Sequence, residues 1–158
     1  MSKTIPILSL LFMSTLVQGL EIDAFFGTSG RQTKGIYHSK FNVESGELAP
    51  ATLAVEIGSP GFLAMNSEQS HLYAVGSLGE PCVAAYKIGE GGSLTFLNSE
   101  AIGDGGGAHI SVHPSGKFIL TAQYGGGSTA VFPIRSDGSV GPRSQLIEHT
   151  GGSNVVPR

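Results

Sequence analysis

An all-β chain assembled from repeats of about four short strands is what this sequence predicts, and three observations carry that expectation. The 158 residues include 24 glycines and 8 prolines, so the chain turns every few residues. Long stretches of Ala, Leu, Glu and Lys at helical spacing are missing, which removes helical bundles and βαβ folds. The chain also matches itself. Shifted by 47 positions, Phe62-Leu63-Ala64-Met65 falls on His109-Ile110-Ser111-Val112, and His71-Leu72-Tyr73-Ala74-Val75 falls on Phe118-Ile119-Leu120-Thr121-Ala122.

Past the next turn the shift drops to 46, laying Ala85-Tyr86-Lys87-Ile88 on Val131-Phe132-Pro133-Ile134 and Gly92-Ser93-Leu94 on Gly138-Ser139-Val140. One residue has been lost from a loop. A period of 46 to 47 residues with about four strands is the mark of a propeller blade.

Taken in order, the amino terminus reads as an export leader. Lys3 precedes an apolar run from Ile5 to Val17, and Val17-Gln18-Gly19 forms a small-residue cleavage site. The run is shorter than the roughly 20 residues of a membrane-spanning helix. Cleavage after Gly19 gives a leader over 1–19, an exported protein with no membrane attachment, and blades over 20–158; without cleavage the chain is expected in the cytoplasm. Residues 22–27 look like the first strand, and Gly35-Ile36-Tyr37 with Ser45-Gly46-Glu47-Leu48 form a partial first copy of the unit. In the last copy, His109-Ile110-Ser111-Val112 alternates as a half-buried strand, His113-Pro114-Ser115-Gly116 is turn chemistry, and two apolar strands follow around Gly125-Gly126-Gly127.

A net charge of −3 leaves no basic footprint, so nucleic acid is not an expected partner. Cys82 is the lone cysteine, which excludes an intrachain disulfide and reads as a buried strand residue. Neither 103–107 nor Gly125-Gly126-Gly127 carries the Gly-Lys-Ser/Thr ending of a phosphate loop, so both read as turns. Three successive glycines nonetheless expose backbone N–H groups that suit an anionic ligand. No spacing of Cys, His and Asp implies a metal, and no cofactor is expected.

The stretch GGGAHISVHPSGKFILTAQYGGGSTAVFPIRSDGSVG, 105–141, resembles the lactonase family of seven-bladed β-propellers, which includes propeller-type 6-phosphogluconolactonases and fungal carboxymuconate cyclases. The resemblance runs from about Phe25 to Arg158. It implies a central cleft taking a lactone or carboxylate, with His109 as the catalytic candidate and Tyr124, Gly125 and Arg158 as substrate-binding candidates. His109 replaces the Phe62 of the preceding copy, so the repeat did not require it; its structural alternative is a histidine hydrogen-bonded to a neighbouring loop. Tyr124 has the alternative of an aromatic packed at a strand end. His113 and His149 read as solvated, and Gln123 stands where many members carry Asn.

The implied activity is hydrolysis of a sugar lactone, most closely 6-phosphogluconolactone, with a muconate-type cyclase or a non-enzymatic exported propeller as alternatives. Seven blades are expected of a whole member, and this chain holds two to three. It is therefore expected to be a truncated product or fragment whose open sheet faces make it self-associate.

Overall fold

The computed structural model of the protein describes residues 20–30 and 32–151; the leader reading of 1–19 and the candidate Arg158 lie outside the described residues. Eleven strands form three antiparallel sheets in chain order. The first holds β1 (Glu21–Gly27), β2 (Gly35–Asn42) and β3 (Thr52–Glu56). The second holds β4 (Gly58–Met65), β5 (His71–Ser77), β6 (Pro81–Ile88) and β7 (Leu94–Ala101). The third holds β8 (Gly107–Val112), β9 (Phe118–Gln123), β10 (Ser128–Pro133) and β11 (Gln145–Glu148). Each four-stranded sheet is a meander in which every strand pairs with the next one along the chain.

The period of two in β5 and β6 builds two cores from one sheet. Tyr73, Val75, Val83 and Ala85 point one way and pack with Ile110, Ile119, Ala130, Phe132 and Val140 of the third sheet. Leu72, Ala74, Ala84 and Tyr86 point the other way, onto Ile36 and Ile57. Alternate side chains of a strand face opposite sides, so a continuously apolar strand is buried on both. Each fully buried Val or Leu contributes about 1.5–3 kcal/mol, which makes the second sheet the centre of stability. Cys82 is buried in it, at 3% exposure, and burial pushes its thiol up from the ordinary range.

The register explains the change in repeat length. Gly76 pairs with Cys82 in the second sheet and Gln123 with Ser128 in the third, so the lost residue lies in the β9–β10 loop. The first sheet aligns with the later three strands of the unit, since Gly46, Gly92 and Gly138 all take positive φ in equivalent turns. No counterpart of the innermost strands β4 and β8 stands beside β1 among the described residues.

Candidate functional site

Antiparallel pairing sorts the loops onto two ends. The β5–β6 and β9–β10 loops and the Ile102–Gly106 linker share one end; the β4–β5, β8–β9 and β6–β7 turns share the other. The candidates His109, Tyr124 and Gly125 lie at the first end. His109 is an exposed residue of β8, paired with Ala122 of β9, and Tyr124 and Gly125 open the loop that follows β9. The register therefore brings His109 and Tyr124 to the same corner of the third sheet. Gly107 begins β8 where a side chain would lie 2.8 Å from Val75 Cβ, so only glycine lets the strand approach the second sheet this closely.

His109 makes no side-chain hydrogen bond among the described residues. Its ring instead packs against Phe62 of β4, centroids 5.2 Å apart and planes tilted by 56°. The expected alternative of a hydrogen bond to a neighbouring loop is thus replaced by an aromatic contact between the innermost strands of adjacent sheets. Tyr124 is 92% exposed, which overturns the reading of a packed aromatic. The loop carries its backbone away from the core at that point, and Gly127 N–H closes it by donating to the Gln123 carbonyl at 3.0 Å.

The glycine loop is not an open anion cradle. The Asp104 carboxylate lies over Gly126, where an added methyl would overlap it, and accepts a short hydrogen bond from Ser128 Oγ. A ligand anion at Gly126 would meet a like charge, so the expectation drawn from the three glycines fails there. Asp104 and Ser128 were not singled out by the sequence; the only signal was one carboxylate in the glycine-rich linker 103–107. Beneath them, Gln123 lies within 3.0 Å of Ser128 Oγ and 2.5 Å of Thr121 Oγ1, and all three of these side chains are buried.

His113 and His149 are exposed as expected, the first bonded to Ser115 and the second to Thr129. At the opposite end, a groove of about 430 Å³ lies between Asn66, His71, Lys117 and Arg135. It touches none of the candidates among the described residues. The described residues contain no group of three or more His, Cys, Asp or Glu placed to hold a metal.

The family model described as lactonase, 7-bladed beta-propeller matches residues 23–158. The chain belongs to this lactonase family. Its relatives include the 6-phosphogluconolactonase of Bacillus subtilis, 36% identical over 133 residues that make up 80% of this chain and 38% of that protein. The 6-phosphogluconolactonase of Xenorhabdus nematophila is 31% identical, over 77% of this chain and 36% of that one. A Bacteroides fragilis protein, whose structure was solved under a provisional 6-phosphogluconolactonase assignment, superposes with a TM-score of 0.75 at 32% identity, covering 83% of this chain and 37% of its own. The chain therefore spans little more than a third of the length of these relatives. Its three sheets are propeller blades.

Proposed function

We propose that the protein hydrolyses a sugar lactone, with 6-phosphogluconolactone as the first substrate to test, and that this chain supplies the His109–Tyr124 wall of the cleft. The observation that carries the reading is the position of His109: exposed on an innermost strand, at the end where the β9–β10 loop and the 103–107 linker meet. Relatives named for lactone hydrolysis support the reaction class.

In this reading a water oxygen adds to the lactone carbonyl carbon while the His109 imidazole takes the water proton. The tetrahedral intermediate collapses by breaking the ring C–O bond, and the imidazolium returns its proton to the leaving ring oxygen. The products are a hydroxyl group and a carboxylic acid, which ionises at neutral pH. Exposed Tyr124 offers an aromatic face and a phenol to the sugar ring. Arg158, a bidentate partner for a carboxylate or phosphate, completes the set carried over from the family.

Residues 1–19 make this an exported lactonase, with the mature chain starting at Leu20. Export and a phosphorylated, cytosolic metabolite fit poorly together, so unphosphorylated gluconolactone belongs in the same assay. Proton release on opening either lactone, compared between the wild type and His109→Ala, tests the reaction. Amino-terminal sequencing of the secreted product tests the leader: a start at Leu20 supports it, and an intact Met1 overturns it.

A further inference from the structure

Ser128 has one hydroxyl proton, yet it faces two acceptors: the Asp104 carboxylate, and Gln123 Oε1 at 3.0 Å. In the same arrangement Gln123 Nε2 faces Thr121 Oγ1 at 2.5 Å. One proton cannot serve both acceptors, and a buried carboxamide oxygen left facing a second oxygen is costly. Reversing the Gln123 amide removes the conflict, because the two ends of a carboxamide differ only in whether they donate. Thr121 O–H then donates to Gln123 Oε1, Gln123 Nε2–H donates to Ser128 Oγ, and Ser128 O–H donates to Asp104. Each of the three contacts then has one donor and one acceptor, and the row ends on a charge.

We infer that Asp104 is a positioning residue: it terminates a directed row of donors, Thr121 to Gln123 to Ser128, and through that row holds the 124–127 loop in the shape the site requires. Three further observations agree. Thr121, Gln123 and Ser128 are 1%, 3% and 3% exposed, so the row runs in a low-dielectric interior where a charged acceptor counts most. Gln123 and Ser128 are the two residues that flank the loop and pair across its base. The Asp104 carboxylate also covers Gly126 at the loop's middle, so one side chain of the 103–107 linker touches the loop both at its base and within it. The importance of the loop rests on the lactonase reading; the row itself does not.

The test uses the full chain and no substrate, which keeps its failure separate from failure of the lactonase reading. Nuclear Overhauser contacts of the Gln123 side-chain amide protons are expected to reach the Ser128 β protons; contacts to the Thr121 side chain instead would overturn the row. The exchange rate of the Gly127 amide, which closes the loop onto Gln123, reads the positioning. Asp104→Ala is expected to raise that rate about tenfold while amides of the second sheet keep theirs. The isosteric Asp104→Asn keeps an acceptor oxygen for Ser128 and should restore the rate to within about threefold of wild type. An unchanged Gly127 rate in Asp104→Ala, or an Asn variant as fast as the Ala variant, contradicts the inference.

Discussion

Asn98 holds both backbone groups of Val140 with a single side chain: its Nδ2 donates to the Val140 carbonyl at 2.7 Å, and its Oδ1 accepts from the Val140 N–H at 2.9 Å. The amide does for the third sheet what a neighbouring strand would do. Asn98 belongs to β7 and Val140 to the turn after β10, so this pair joins two blades directly. Arg135 reinforces it, with Nη1 donating to the same carbonyl at 2.6 Å and Nη2 lying 3.7 Å from Glu100.

Removing the amide exposes what it satisfies. Val140 is fully buried, so Asn98→Ala leaves a buried N–H without its acceptor and is expected to cost about 1–3 kcal/mol. Urea unfolding reads this as a lower midpoint at unchanged slope. An unshifted midpoint would mean that the Asn98–Val140 bonds contribute nothing to holding the two blades together.

Two phenols give the fold an alkaline limit. Tyr73 donates to the Gly138 carbonyl at 3.0 Å across the same interface, and burial pushes both its phenol and that of Tyr86 up to about 12. A raised folded value means that the protonated form is favoured in the fold. The associated stability is fully present below the unfolded value of about 10 and is lost as the pH climbs from there toward 12. Tyr73→Phe should lower stability by about 1 kcal/mol at pH 8 and make the fall above pH 10 shallower, read as urea midpoints against pH.

At the acid end the relevant group is Asp23. Burial acts to raise its carboxyl, but hydrogen bonds from Lys40 and His38, each 2.6 Å away, and their charges outweigh it and hold it below the usual range. That contribution is present above the unfolded value and lost as pH falls through the lowered folded one. The carboxylate is 35% exposed, so the effect is screened to under about 1 kcal/mol. Asp23→Asn should flatten the stability profile below pH 5; an unchanged profile would show that the contacts to Lys40 and His38 contribute nothing in solution.

The outer sheets leave apolar side chains uncovered, including Ile22 and Leu53 on the first and Phe118 and Ile147 on the third, each at 40% exposure or more. Such faces favour association. Static light scattering on the chain is expected to show a mass above the 16.3 kDa of one copy, falling toward it in a Phe118→Glu, Ile147→Lys variant. A stable monomer in the wild type would sink the idea.

Much of the fold was legible because it is written locally. The alternation at 109–112, the turn at 113–116 and the three glycines before 128 each mark a boundary that the strands respect to within a residue or two. The offset between copies even located the β9–β10 loop as the place where length changes. Partners distant in sequence were not legible. Ser128 meets Asp104 from 24 positions away, Asn98 meets Val140 from 42 and Tyr73 meets Gly138 from 65, and no spacing rule links such pairs before the blades are stacked. The same limit misplaced the anion: the glycine loop does lie against a carboxylate, but the carboxylate belongs to the chain itself.

The most direct measurement is proton release from 6-phosphogluconolactone and gluconolactone by the purified protein, wild type against His109→Ala. The account predicts faster opening than in buffer for at least one lactone, and a loss of about a hundredfold or more in kcat on removing the imidazole. Opening no faster than in buffer, or an Ala variant equal to the wild type, would contradict it.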